Sequence, residues 1–72
     1  MKIIIHLDVM LATRKKRLKD LSAAIGVSET NLSMIKTGKI KGIRFSTLIK
    51  ICDYLDCQPG DIMEFVREVS EP

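Results

Sequence analysis

The sequence lacks the features that mark several other classes of protein. Its two cysteines, Cys52 and Cys57, stand five residues apart, a spacing that fits neither a zinc site nor a redox CxxC motif. No apolar stretch approaches the roughly 20 residues that cross a bilayer. The N-terminal segment "MKIIIHLDVM" has no signal-peptide cleavage pattern. These absences predict two free thiols, a cytoplasmic location and no membrane partner.

Acidic residues are missing from one long interval, Thr30 to Cys52, although the chain has nine of them. The same interval holds Lys36, Lys39 and Lys41. The formal net charge of +3 is only mildly basic and says little by itself. Its uneven distribution, however, indicates a surface that a polyanion approaches. Exposed lysines can also be simple solvated charges, and both interpretations stay open at this point.

The length of 72 residues predicts a single domain, residues 1–72, with a small core. Folding at this size buries roughly 60% of the extended-chain surface, which leaves little room for a deep catalytic cleft. No nucleophile in the sequence has an evident base, and nothing predicts a metal or a cofactor. We therefore expect a protein that is not an enzyme.

Apolar residues at helical spacing predict three helices in the first half of the chain. The first begins near Leu7 and runs to about Lys16, and the second ends at Gly26, a residue suited to a left-handed stop. Ser28 is expected to cap the third helix, because its hydroxyl can accept from backbone amides of the first turn. Gly38 is expected to end that helix.

The second half of the chain predicts two more helices, and the two ends predict strands. Ser46 is the expected cap of the fourth helix, and Pro59 suits the first turn of a short fifth one. The opening "KIIIH" is β-branched, and "MEFVREV" alternates apolar and polar residues. The prediction is a mainly α fold of five helices, with a small two-stranded sheet formed by the N- and C-terminal segments.

The second and third predicted helices describe a helix-turn-helix over about residues 18–37. Only Val27 separates Gly26 from the cap at Ser28, so the turn is short. The apolar positions that hold the two helices together are Leu21, Ile25, Val27, Leu32 and Ile35. In such a motif the second helix lies in the major groove, and its early residues meet base edges.

Two segments, "LKDLSAAIGVSETNLSMIKTGK" and "IRFSTLIKICDYLDCQPGDI", resemble the Cro and phage-repressor (XRE-like) family of DNA-binding domains. The resemblance implies a five-helix, lambda-repressor-like fold. It also implies a transcriptional regulator that binds double-stranded DNA, and we expect a repressor rather than an activator. Two positions depart from the family pattern. The family often has a Ser or Thr where this chain has Arg17, and an alanine where it has Ser22.

The resemblance also implies which residues face DNA. Those matching base-facing positions are Glu29, Thr30 and Met34. Those matching positions near the DNA backbone are Ser28, Asn31, Thr37, Lys39, Lys41, Arg44 and Ser46. Glutamate can accept from the cytosine amine, and threonine or methionine can contact a thymine methyl. Glu29 can equally be a favourable first-turn charge, and Met34 can belong to a protein interface.

One such module buries only about 600–1,000 Å² on DNA, so we expect a homodimer whose half-sites lie about 10 base pairs apart or at a multiple of that spacing. The edge of the "KIIIH" strand or the apolar C-terminal segment could supply the dimer axis. An alternative is a protein-interaction module, such as an antitoxin or an adaptor, that keeps this fold and binds a protein partner. Affinity for DNA that did not change with salt would favour this alternative.

Overall fold

Five helices and two short strands follow one another in the computed structural model, which describes residues 1–67. They are β1 Lys2–Ile5, α1 Leu7–Thr13, α2 Leu18–Ile25, α3 Glu29–Lys36, α4 Phe45–Leu55, α5 Pro59–Ile62 and β2 Met63–Val66. This confirms the predicted mainly α fold with its small sheet. In the part of the chain that the structure describes, no helix is long and apolar enough to cross a membrane.

The two strands pair antiparallel, as the sequence predicted. Ile3 lies opposite Phe65 and Ile5 lies opposite Met63. At the end of β1, His6 Nε2 lies 2.8 Å from Glu64 Oε1 on β2, so a side-chain hydrogen bond reinforces the pairing. The strand ends at Val66, whereas the predicted alternating segment continued to residue 69. Residues 68 and 69 lie outside the described residues.

The core is built from the apolar stripes of all five helices. Leu32 of α3 and Ile51 of α4 have no solvent exposure at all. Full burial of such a side chain contributes about 1.5–3 kcal/mol to stability. The buried set is Leu7, Met10, Leu11, Leu21, Leu32, Ile35, Leu48, Ile51, Leu55 and Ile62, and among the described residues no polar side chain is buried with it. Helix α2 packs against both α3 and α4, so it orients the two helices on which the candidate site is built.

Helix α1 ends at Thr13, so the predicted extension to Lys16 is wrong. Lys15 adopts a left-handed conformation with φ 56°. The amide of Lys16 donates to the Leu11 carbonyl at 2.8 Å, and that of Lys15 donates to the Ala12 carbonyl at 3.1 Å. This pair of bonds closes a helix in the way that glycine usually permits. The sequence does not indicate this helix end, because position 15 holds a lysine rather than a glycine.

Helix α4 begins at Phe45, two residues earlier than a cap at Ser46 predicts, so Ser46 is not its cap. Arg44 is the last residue with an extended backbone (φ −72°, ψ 141°), and no side chain caps the helix there. The Arg44 carbonyl already accepts from the Leu48 amide at 3.0 Å. Because Phe45 is therefore helical, Ser46 lies within the first turn, where its hydroxyl cannot act as the cap.

The C-terminal end of α4 is capped by the side chain of Arg14, the residue that directly follows α1. Arg14 donates from Nε to the Leu55 carbonyl at 2.7 Å and from Nη2 to the Asp56 carbonyl at 3.0 Å. The last carbonyls of a helix have no partner inside the helix and carry partial negative charge, so a guanidinium satisfies both needs. This contact ties two helices that are about 40 residues apart in the sequence.

Candidate nucleic-acid interface

The turn between α2 and α3 sets the direction of α3. Gly26 is left-handed, with φ 74°, and its amide donates to the Ser22 carbonyl at 3.0 Å. The Ser22 hydroxyl donates to the Val27 carbonyl at 2.6 Å. The left-handed stop at Gly26 was expected from the sequence. The hydrogen bond from the Ser22 hydroxyl was not expected, and it stabilises the turn between α2 and α3.

Helix α3 begins with the cap that the sequence predicted. The Ser28 hydroxyl oxygen accepts from the Asn31 amide at 3.2 Å, and the Ser28 carbonyl accepts from the Leu32 amide at 3.0 Å. Because the hydroxyl of Ser28 only accepts here, its own proton stays available for an external acceptor such as a phosphate oxygen. Glu29 lies in the first turn, where the helix dipole favours a negative charge.

Helix α2 lacks the Ser or Thr cap of the related family, and a carboxylate partly replaces it. Arg17 precedes the helix in an extended conformation. Its amide donates to the Asp20 carboxylate at 3.1 Å. A negative charge in the first turn also interacts favourably with the helix dipole. The departure at Arg17 therefore leaves the beginning of α2 ordered.

The two faces of α3 have opposite exposure. Leu32 and Ile35 are buried against the rest of the molecule. The outer face is exposed at Glu29, Thr30, Asn31, Met34 and Thr37. Met34 is 40% exposed, although it is apolar. The structure therefore leaves all three predicted base-facing side chains accessible on a helix whose other side is anchored.

A shallow depression of about 460 Å³ brings these three side chains together. Glu29, Thr30 and Met34 line it, with Leu18 of α2 and Lys39 of the following loop at its borders. Glu29 and Thr30 are adjacent in sequence, and Met34 follows one helical turn later. The combination offers a carboxylate, a hydroxyl and a thioether within one surface patch, which is enough to contact several neighbouring base edges.

The end of α3 modifies the expected role of Thr37. Its hydroxyl donates to the Ser33 carbonyl at 2.9 Å. The left-handed Gly38 (φ 73°) then turns the chain, and the Lys39 amide donates to the Met34 carbonyl at 2.9 Å. A phosphate oxygen needs a donor, and the proton of Thr37 is already used. Thr37 must rotate away from Ser33 before it can donate to DNA.

A second groove, of about 470 Å³, lies between the beginnings of α3 and α4. Among the predicted backbone-contact residues, it brings together Ser28, Asn31 and Arg44. Gly42 also lines it. Lys41 does not line this groove, and neither does Ser46. No local pattern in the sequence indicates that these residues divide in this way.

The cations of the α3–α4 loop are available to an external anion. Lys39, Lys41 and Arg44 are exposed. Within residues 1–67 none of these three cations forms an ion pair. The acid-free interval seen in the sequence therefore becomes an exposed positive loop directly after α3. Such a loop attracts a polyanion without reading its sequence.

Nothing in residues 1–67 assembles a metal site: no three His, Cys, Asp or Glu side chains converge there. Cys52 and Cys57 are free thiols, as predicted, and both are half-buried. Burial, followed by the neighbouring Cys52 thiol, raises the pKa of the Cys57 thiol. Cys57 is therefore an uncharged thiol near neutral pH rather than a reactive thiolate.

A tight helix-turn-helix with a free outer face and a positive loop agrees with what comparison of the chain with known families finds. Residues 6–68 match the Cro/C1-type HTH DNA-binding domain. The chain belongs to this family. Its resemblance to Cro and phage repressors is thereby confirmed, and DNA is a partner of the domain. This Cro/C1-type domain begins at His6, so β1 lies before the matched range.

The chain is closely similar to a protein that is named as a transcriptional regulator. The uncharacterized HTH-type transcriptional regulator YozG of Bacillus subtilis (strain 168) is 55% identical over 65 residues, which are 90% of this chain and 77% of that protein. The family is a class of DNA-binding domains rather than a class of enzymes. DNA binding in transcriptional regulation is therefore the functional class of this Cro/C1-type chain.

Proposed function

We propose that this protein is a sequence-specific transcriptional repressor that inserts α3 into the major groove of duplex DNA. The observation that carries the proposal is the contrast between the two faces of α3. Its inner face is anchored by Leu32 and Ile35, and its outer face is exposed and mainly polar. A rigid helix of this kind can hold side chains at fixed positions against base edges.

Base readout is assigned to Glu29, Thr30 and Met34, which line one depression. Glu29 accepts a hydrogen bond from the exocyclic amine of cytosine, and Thr30 bonds a base edge or contacts a thymine methyl. Met34 is flexible and apolar, which suits a thymine methyl. The exposure of Met34 supports this assignment, since burial would have explained the residue by packing alone.

Backbone contact is assigned to the two sides of the groove and to the loop. Ser28, Asn31 and Arg44 face one groove and can hold a phosphate between a hydroxyl, an amide and a guanidinium. Lys39 and Lys41 add charge along the duplex. Thr37 contributes after its hydroxyl leaves Ser33, and Ser46 contributes its backbone amide in the first turn of α4.

A single module of this size binds DNA weakly, so we propose that the protein binds as a homodimer to two half-sites. Symmetric half-sites would lie about 10 base pairs apart or at a multiple of that distance. A dimer bound at a promoter would repress transcription by blocking access to that DNA. We propose that the protein acts in the cytoplasm.

The test is selection of preferred sites from random duplexes, followed by affinity measurements over a range of salt concentrations. We expect enrichment of two related half-sites and an affinity that falls steeply with salt. Lys39→Ala should weaken binding to selected and random duplexes alike, and it should flatten the slope of log affinity against log salt by about one unit.

Arg67→Ala is the matched control, because it removes one cation at the end of the terminal sheet, outside the proposed surface. It should leave the salt slope unchanged. An affinity that does not depend on salt, or a selection that enriches no sequence, would contradict the proposal and favour a protein-binding role.

A further inference from the structure

Helix α4 exposes two large apolar side chains on the side away from the core. Phe45 is 81% exposed and Ile49 is 66% exposed, and they stand one helical turn apart. Leu48 and Ile51 of the same helix are buried. Scattered apolar residues are normal on a protein surface, but a contiguous pair beside an apolar groove marks an interaction site.

The groove beside these residues has an open volume of about 570 Å³. Its exposed and half-buried lining includes Phe45, Ile49, Cys52, Asp53, Cys57 and Pro59. We call these six residues the α4 face. None of them is among the residues assigned above to DNA, so the proposed function does not explain their exposure.

The terminal sheet also exposes apolar side chains, but it differs in one respect. Phe65 is 54% exposed, and the Arg67 guanidinium lies 5.7 Å from the centre of its ring. That cation covers one side of the ring and interacts with it favourably. No such partner covers Phe45 in the part of the chain that the structure describes, which makes the α4 face the better candidate for an interface.

We propose that the α4 face binds the α4 face of a second copy of this chain, with the two α4 helices antiparallel about a two-fold axis at the level of Cys52. The proposal rests on the proposed function, which requires a dimer, and it names the surface that makes one. In this arrangement the Phe45 ring of each copy enters the groove beside Pro59 of the other. A two-fold interface uses the same patch on both subunits, and this patch supplies both the protruding ring and the groove.

Charge complementarity supports a second copy as the occupant. Lys50 and Asp53 are exposed on one flank of α4, three residues apart, and neither forms an ion pair within residues 1–67. Antiparallel packing about an axis between Ile51 and Cys52 brings Lys50 of each copy to the level of Asp53 of the other. The two-fold symmetry makes this pair twice, whereas parallel packing would place the two charged flanks on opposite sides of the interface and form no such pair.

The position of the α4 face also suits a DNA-binding dimer. Arg44, which lies in the groove next to Asn31, immediately precedes Phe45. The interface therefore begins beside the proposed DNA surface of each copy. Helix α4 has 11 residues and is about 16 Å long, so the contact is smaller than the roughly 800 Å² per partner of a standard interface. We expect a dimer of micromolar affinity in the free protein.

Sedimentation equilibrium of the full chain from about 1 to 500 µM tests the proposal, and micromolar affinity corresponds to the weak end of specific association. Phe45→Ser and Ile49→Ser should each weaken dimerisation at least tenfold. Val9→Ser is the matched control, because Val9 is a 53% exposed apolar residue on α1, and it should change nothing. Thermal unfolding of each variant shows whether the fold is retained.

Phe65→Ser tests the rival surface on the terminal sheet. Loss of the dimer in this variant, with Phe45→Ser unaffected, would overturn the proposal in favour of the sheet. A natural chain that stays monomeric at 500 µM, a concentration far above a micromolar dissociation constant, would overturn it outright.

A charge exchange tests the antiparallel arrangement. Lys50→Asp and Asp53→Lys should each weaken the dimer, because each sets like charges opposite each other, and the double variant should restore it. A double variant that dimerises as weakly as the single variants would reject the predicted pairing.

Binding of random duplex DNA by the same chains separates failure of the dimer proposal from failure of the proposed function. A natural dimer that binds no duplex would contradict only the proposed DNA binding, and a natural chain that binds duplex but stays monomeric would contradict only the α4 interface.

Discussion

Helices α3 and α4 use the same design on their inner side and opposite designs on their outer side. Each buries an apolar stripe, which includes Leu32 in α3 and Ile51 in α4. Outside, α3 presents mainly polar side chains, whereas α4 presents Phe45 and Ile49. Burial fixes both helices in place, and the chemistry of the outer side then separates a surface suited to base edges from a surface suited to protein.

The connections that precede the two helices differ in the same way. Before α3, the left-handed Gly26, the Ser22 hydroxyl bond and the Ser28 cap fix the chain within a few residues. Before α4, a longer cationic loop leads to Arg44 with no side-chain cap. Reading a base edge requires fixed geometry, whereas contact with a phosphate requires mainly charge. Each connection has the rigidity that its proposed task needs.

The strongest test of this contrast compares the two faces of α3. Leu32→Ala should lower the free energy of unfolding by about 2–5 kcal/mol, since it leaves a cavity in the core. Met34→Ala, on the outer face, should change stability by no more than about 0.5 kcal/mol. Urea unfolding of both variants provides the measurement. Equal losses would show that the two faces of α3 do not differ in packing.

A smaller effect is expected for base readout. Thr30→Ala should relax the preference at one base position by about 1–3 kcal/mol, with the rest of the selected site unchanged. Binding to a panel of single-base variants of the selected duplex measures this. Lys39→Ala is the control, because loss of a phosphate contact lowers affinity for the whole panel evenly. A Thr30 variant that also lowers affinity evenly would argue against base contact.

The turn before α3 can be weakened without removing any side-chain contact. Gly26→Ala should cost about 1–2 kcal/mol, because an L side chain disfavours the left-handed conformation. A Cβ at position 26 meets nothing within 4 Å, so no clash contributes. Gly42→Ala, in the loop before α4, is the control: its Cβ is also unobstructed, and its φ is not left-handed. Thermal unfolding should separate the two, and similar melting temperatures would refute the assigned difference in rigidity.

The smallest expected effect concerns the hydroxyl inside the same turn. Ser22→Ala removes the bond to the Val27 carbonyl and should lower stability by about 0.5–1.5 kcal/mol. Ser46→Ala removes an exposed hydroxyl that makes no hydrogen bond within the described residues, and it should be nearly neutral. Chemical denaturation compares them. A stabilising Ser22→Ala would mean that the alanine common in the family is the better residue for this turn.

Local signals in the sequence were sufficient for much of the fold. Helical spacing located the first four helices and Pro59 indicated the fifth, and Gly26 and Ser28 marked boundaries that the structure confirms. These features depend on backbone conformation and on residues within one turn, so a short window of sequence contains them. The β-branched and alternating ends likewise predicted the antiparallel pairing.

Features that depend on distant contacts could not be read in this way. Arg14 caps α4 from 41 residues away in the sequence, and no periodicity connects the two. The early end of α1 was missed because Lys15 adopts a conformation in which glycine is expected. The assignment of individual residues to DNA rests on the family resemblance, and the structure adds to it the grouping around two surface depressions. Those assignments stay predictions.

The strained lysine after α1 has a practical consequence for such measurements. A residue held at φ 56° keeps the protein less stable than its contacts allow, and glycine at position 15 would recover about 1 kcal/mol. A Lys15→Gly chain would therefore serve as a reinforced parent in which damaging substitutions still fold. Loss of recognition could then be separated from simple collapse of the domain.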